Sequence, residues 1–281
     1  MEPIFDLRSN QQLDSERTRL VFPQEFLSIE LRNFAECIAC LVELEEIRDT
    51  SEFLFWLANR PTLSAIWATS HRVDWTLRAV EIAVHLKLID LQKPEAFRQF
   101  ACWSAETIRE PHYNWDKVFN ATQSYLKGKI SLTELRNLQQ RTHPAGAGVC
   151  GLPRCSAYAA WQLASWHTAD HSPLQAAYVA SNFAVLGARF KAAEEGARVA
   201  NLRERFKGTW RESYANKFFY EAHPEVVEAA GALAQQQHAR ELVKLVGNPF
   251  LQVDSARLSF LTSNIHHVAH RAVYNQEGQF N

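Results

Sequence analysis

The sequence predicts an all-α fold, an irregular array of about ten to twelve antiparallel helices. Three observations carry that prediction. Apolar residues recur at helical spacing along most of the 281 residues, and up to about Leu91 no apolar/polar alternation extends beyond a few positions. Glycine and proline number only ten each, few for a turn-rich β protein of this length. Ser131 with Glu134 and Ser172 with Gln175 are capping boxes, in which side chain and backbone satisfy each other's orphan groups at a helix start.

Residues 1–22 are polar with scattered hydrophobics and read as an arm lying over the body. Pro23, suited to a first helical position, opens a helix to about Ile47, in which Leu27, Leu31, Phe34, Ile38 and Leu41 form a buried seam. Asp49, Thr50 and Ser51 supply a cap for a short helix from Phe53 to Asn59, and Pro61 starts another through Trp67. Val73, Leu77, Val80, Val84 and Leu88 mark a longer helix ending near Leu91. Three consecutive helices follow between Pro94 and Pro144, and the rest of the chain is expected to organise around them.

The first of the three presents Phe97, Phe100, Ala101, Ser104 and Ile108 on one face. The second presents Trp115, Val118, Phe119, Thr122, Tyr125 and Leu126, and Gly128 stands where a left-handed cap ends a helix. The third starts at Ser131, with Ile130 and Leu135 at the positions of a hydrophobic staple. Residues 143–154 hold three glycines and two prolines, which makes them a loop. A helix from about Cys155 to Trp166 comes next. Pro173 then opens an alanine-rich helix through about Glu195, in which Ala176, Ala177, Ala180 and Ala184 permit close helix approach. The stretch from Ala197 to Tyr220 is basic and aromatic. A helix from about Glu225 to Val246 is closed by Gly247-Asn248-Pro249, and a last helix carries Leu258, Leu261, Ile265, Val268 and Ala272. The expected organisation is an arm at 1–22, an N-terminal helical subdomain at 23–92, and a C-terminal helical subdomain at 93–281 with a seam at 143–154.

Composition bounds the function. Hydrophobic residues make up 47% of the chain, with seventeen Phe and eight Trp, ample for a packed core. Thirty basic residues against thirty-one acidic ones give no global attraction to nucleic acid or anionic lipid. Five cysteines at irregular spacing do not form a secreted disulfide framework. The start Met1-Glu2-Pro3-Ile4-Phe5-Asp6 lacks the basic and apolar regions of a signal peptide, and no window is long and apolar enough to span a bilayer. A cytoplasmic protein without a membrane partner is the expectation.

Candidate chemistry is sparse. Cys37, Cys40, Cys150 and Cys155 have the number of thiols for a zinc site, but the first pair sits mid-helix beside an apolar seam, where buried cysteines are ordinary packing residues. His167 and His171, four apart with Asp170 between them, and the cluster His266, His267 and His270 are candidate metal ligands; the bland reading is surface histidines. His71-Arg72-Val73-Asp74-Trp75 reads as capping and ion pairing at a helix start. Arg198, Arg203, Arg205, Lys207, Arg211 and Lys217, interleaved with Phe206, Trp210, Tyr214 and Phe218, are a candidate nucleic-acid surface. An aromatic stripe at four-residue spacing is more often a helix face on a core, with the cations solvated around it. Nucleophile elbows and phosphate-cradling loops are absent, and Gly146-Ala147-Gly148 has neither a preceding strand nor a following Lys-Ser/Thr. No catalytic residue and no cofactor is indicated.

Two stretches carry a family resemblance. Phe97-Arg-Gln-Phe-Ala-Cys-Trp-Ser-Ala-Glu-Thr-Ile, followed by Ala121-Thr-Gln-Ser-Tyr-Leu-Lys-Gly-Lys-Ile-Ser-Leu-Thr-Glu-Leu, resembles a bacterial pattern common in planctomycetes. That pattern has a phenylalanine-alanine-cysteine helix, then an ERYADG-x-x-x-x-EEL helix pair and an alanine-rich region. Leu242-Val-Lys-Leu-Val-Gly-Asn-Pro-Phe-Leu-Gln-Val-Asp is similar to the GNPFRPV turn that closes the region, with Leu251 where the pattern has arginine. The resemblance spans roughly Phe97 to Tyr274 and extends to all-α immunity proteins of bacterial toxin systems. It implies a helical array and a role in bacterial conflict or phage defence, and it supplies no catalytic residues. The leading expectation is a non-enzymatic module that binds and regulates a partner protein, a toxin or another defence component. The alternatives are a metal-dependent enzyme on the His/Asp cluster and a nucleic-acid-binding helical protein.

Overall fold

The computed structural model describes residues 60, 62–91, 93–109, 113–142, 156, 158–161, 163, 173–209 and 211–261, together with Phe34, Phe53, Trp56 and Leu57. Among these residues there are nine α-helices with both ends described, two 3-10 turns, further helical residues and no strand, so the fold is all-α, as predicted. The chain divides into two compact units, one formed by Met1–Thr62 with Leu261–Asn281 and the other by Leu63–Phe260. In the first, Phe34 and Leu57 are fully buried, and Phe53 stacks on Trp56 with ring centroids 5.7 Å apart.

The α-helices of the second unit are α1 (Leu63–Thr69), α2 (Val73–His85), α3 (Pro94–Thr107), α4 (Tyr113–Leu126), α5 (Leu132–Gln140), α6 (Pro173–Val199), α7 (Leu202–Arg205), α8 (Ala215–Ala222) and α9 (Pro224–Val246). Ser156, residues 158–161 and Leu163 are also helical. The 3-10 turns are Glu212–Tyr214 and Pro249–Gln252, and residues 255–261 are helical.

The organising element is α6, not the triplet Pro94–Pro144. The 27-residue α6 packs against α2, α3, α7, α8 and α9, most extensively against α3 and then α9. Its sequence explains this. Leu174, Ala176, Ala177, Ala180, Ser181, Ala184, Val185 and Gly187 are buried on about half of the circumference, and Ala193 and Ala197 are buried on the opposite half, so no single stripe runs the length of the helix. Small side chains let several helix backbones approach the same axis. Ala176, Ala180 and Ala184 join Ala101, Ala105 and Ile108 of the α3 stretch and Phe119 of α4 in one core cluster.

The triplet itself forms as predicted. Ser131 Oγ accepts the Glu134 N–H at 3.2 Å while Glu134 Oε2 accepts the Ser131 N–H at 2.7 Å, so the capping box is reciprocal. Leu135 is buried against Val118, with Ile130 packed beside them. Gly128 has φ +67°, and the N–H groups of Gly128 and Lys129 reach the carbonyls of Tyr125 and Ser124, the two bonds of a Schellman cap.

One helix boundary and one aromatic stripe differ from expectation. Helix α2 stops at His85 rather than near Leu91, because Leu86 is the last residue with helical angles and Lys87 turns left-handed at φ 55°. Leu88, predicted on the helix face, is buried just beyond the helix end. The stretch from Ala197 to Tyr220 is not one helix: Phe206, Tyr214 and Phe218 lie on different elements, so their four-residue spacing makes no single stripe. Phe206 and Phe218 instead meet edge to face at 5.4 Å, and Tyr214 is half exposed.

Long-range bonds fix the ends of the helices. Gln235 Oε1 on α9 accepts the Val73 N–H at 3.0 Å, satisfying an orphan donor of α2. Arg72 meets Asp74 through two bonds of 3.0 and 2.8 Å and lies 3.8 Å from the Trp75 ring centroid, so the polar run at His71–Trp75 is a structured helix start. In the GNPF turn Gly247 has φ +76°, Asn248 Oδ1 accepts the Phe250 N–H at 2.9 Å, and Asn248 Nδ2 donates to Ser64 Oγ at 2.6 Å, tying the turn to α1.

Candidate functional site

The site with a clear chemical character is an open apolar depression at the seam of α6, α8 and α9. Gly196 makes it possible. A side chain at that position would collide with the Phe219 ring, which lies directly on the Gly196 backbone, so only glycine lets α8 come this close. Phe219 is thereby buried among Ala193, Ala197, Ala215 and Val227. Ala192, Val199 and Ala200 wall one side of the depression and Val226 the other, enclosing about 440 Å³. Val199 is 72% exposed and Val226 47% exposed, so the rim presents apolar surface to solvent.

Glu195 is the one charged lining residue. Its carboxylate is held by Arg198 at 2.8 and 2.5 Å, and that hydrogen bond keeps its pKa below the usual carboxylate value. The lining contains no histidine, cysteine, serine or lysine, so the depression offers apolar contact and shape but no nucleophile or proton-transfer pair. An open apolar hollow of this kind can accommodate an apolar side chain.

The sequence-predicted residues fall differently. The metal candidates His167, Asp170, His171, His266, His267 and His270 lie outside the described residues, as do Cys37, Cys40, Cys150, Cys155 and Trp210. Among the described residues no group of three or more His, Cys, Asp or Glu side chains is placed to hold a metal ion. Of the six candidate nucleic-acid cations, four face carboxylates: Arg198 with Glu195 at 2.5 Å, Arg203 with Glu194 at 3.2 Å, Lys207 with Glu204 at 3.2 Å and Lys217 with Glu221 at 3.6 Å. Arg211 stands 6.0 Å from the Phe218 ring. Intramolecular pairing of this kind lowers the field that a phosphate backbone would meet. Among the described residues no helix is long and apolar enough to cross a membrane.

Sequence reasoning missed the depression. The one available signal was Gly196 inside an otherwise alanine-rich helix, where glycine is unfavourable unless another element must approach closely. It also missed His238, which is 3% exposed on α9 against Trp103 and Phe100 of α3, with ring centroids at 4.8 and 6.3 Å. His238 Nδ1 donates to the Ala234 carbonyl at 2.8 Å, and Nε2 is buried without a hydrogen-bond partner. Burial pushes this imidazole below its ordinary pKa of 6.5, with the Ala234 bond acting in the opposite sense.

No known protein family, curated protein or solved structure matches this chain.

Proposed function

We propose that the chain is a non-enzymatic helical scaffold that binds a partner protein, seating an apolar side chain of a partner helix in the Gly196–Phe219 depression. The observation that carries this reading is the uncovered apolar rim: Val199 and Val226 stand in solvent on either side of a hollow with almost no polar lining. Solvent-exposed valines contribute little to folding where they stand, and gain by burial under a partner. The resemblance to helical immunity proteins supports a toxin or another component of a defence system as that partner.

The test is the double variant Val199→Asp with Val226→Asp, compared with the parent in affinity capture from the source cell. Both positions are exposed, so the variant keeps the parent's circular dichroism and Tm. The reading expects one specific protein with the parent and its loss with the variant. Equal recovery by both, or no specific protein with the parent, overturns it.

A further inference from the structure

We propose that the cleft between the connector at 86–93 and the turn at 247–254 binds a small organic anion, a carboxylate or phosphate group on a short apolar body. This site is separate from the partner-binding depression and does not depend on that reading. The cleft encloses about 450 Å³, a volume typical of small-molecule sites. Leu88, Ile89, Phe97 and Val246 line it, each at most 7% exposed, so its interior is the edge of the apolar core.

Its walls are held in place. The Asp254 N–H donates to the Leu88 carbonyl at 2.9 Å, and Arg257 Nε donates to the Leu86 carbonyl at 2.8 Å, joining the turn to the connector. Asn248 anchors the turn to Ser64. A cleft whose sides are already tied together loses little ordering entropy when a ligand enters.

The charges at its mouth favour an anion. Lys87 and Lys93 both line the cleft, both are exposed, and neither has a carboxylate within ion-pair distance among the described residues. This contrasts with Arg98, Arg198, Lys207 and Lys244, each paired with a glutamate three residues away. Against the two lining carboxylates, Asp90 and Asp254, stand three cations: Lys87, Lys93 and Arg257, whose guanidinium is bonded to the connector at the Leu86 carbonyl while its backbone N–H donates to Asp254 Oδ1 at 2.8 Å.

Lys87 adds an independent argument. Its N–H reaches the Val84 carbonyl and the Leu88 N–H reaches the Ala83 carbonyl, so α2 ends in the same Schellman cap that closes α4. At α4 the left-handed position is Gly128; at α2 it is a lysine with φ 55°. Glycine would occupy that position without the steric cost a lysine carries. A lysine kept in a strained conformation at the mouth of a cleft is accounted for by what its ammonium group does there.

The experiment titrates the full-length chain with phenylacetate, phenyl phosphate, inorganic phosphate and phenethylamine at constant ionic strength, by calorimetry and ligand-observed NMR. At least one of the two aromatic anions is expected to bind, and which of them binds more tightly separates a carboxylate ligand from a phosphate ligand. Inorganic phosphate, lacking the apolar body, and phenethylamine, carrying the wrong charge, bind at least about tenfold more weakly. Lys87→Gln with Lys93→Gln lowers the affinity about tenfold without changing Tm. Lys87→Gly raises Tm and still weakens binding, whereas a purely structural role for Lys87 would raise Tm and leave the affinity unchanged. Failure of both aromatic anions to bind, equal binding of phenethylamine, or parent-like affinity in either lysine variant overturns the proposal.

Discussion

Replacing His238 with leucine should leave the protein about as stable as the parent, or more stable, at neutral pH, although the residue is 3% exposed. His238 Nε2 sits in the interior with no partner, and an unmet acceptor of that kind costs about 1–3 kcal/mol. Leucine removes the orphan and retains most of the apolar volume. Against this stands the lost ring contact with Trp103, about 0.5–1.5 kcal/mol. The Ala234 carbonyl that Nδ1 touches lies one helical turn back and keeps its backbone donor. The net expectation at about pH 7.5 runs from about 0.5 kcal/mol of destabilisation to about 2.5 kcal/mol of stabilisation, centred near 1 kcal/mol of stabilisation, whereas His238→Ala, which opens a cavity, should cost about 2–4 kcal/mol.

The pH dependence carries a definite sign. Burial depresses the folded-state pKa of His238 below the unfolded value of 6.5. Its contribution is therefore fully present above pH 6.5, and it is lost as pH falls toward the folded pKa, because the unfolded chain takes up a proton that the folded chain refuses. By about pH 5.5 this loss reaches at most about 1.4 kcal/mol. Urea denaturation of parent and His238→Leu at both pH values isolates the effect, since the other ten histidines cancel in the difference. The advantage of leucine should widen on acidification. A gap that stays constant, or a leucine variant more than about 1 kcal/mol less stable than the parent at the higher pH, would refute the neutral, unpartnered imidazole.

Two further predictions concern the triplet of helices. Ser131→Ala removes the side-chain half of the capping box and should cost about 1 kcal/mol in urea denaturation; an unchanged midpoint would mean that the cap contributes nothing. Burial and the neighbouring Glu106 push the Cys102 thiol up to about 12, so at pH 8 it is the unreactive thiol form. Iodoacetamide should leave Cys102 unmodified in the folded protein and alkylate it in urea, as read by peptide mass spectrometry; rapid labelling of the native chain would contradict this.

The sequence was most legible where a helix has one apolar face. Pro94–Thr107, Tyr113–Leu126 and Leu132–Gln140 each carry a stripe and a start or stop signal, and each forms close to its expected bounds. The same logic undervalued α6. A helix whose buried face changes side along its length has no continuous stripe to find, and its alanines mark close approach without saying how many neighbours approach. Helix α2 was read too long because Leu88 continues the apolar rhythm, while the left-handed turn that ends the helix is made by Lys87, a residue that gives no stop signal. Both candidate sites are assembled from segments far apart in sequence: α6 with α8 and α9, and the 86–93 connector with the 247–254 turn. Only Gly196 and the GNPF turn left a local trace of them, since pattern reading sees periodicity along one element and not the meeting of two.

Docking of a partner protein on the apolar depression is read most directly by site-specific photocrosslinking in the source cell, with a benzophenone amino acid placed singly at Val199, at Val226 and at Arg136, an exposed position on α5. One common adduct is expected from Val199 and Val226, identified by mass spectrometry as a second protein and absent from Arg136. No adduct at the two valines, or the same adduct with equal yield from Arg136, would contradict it.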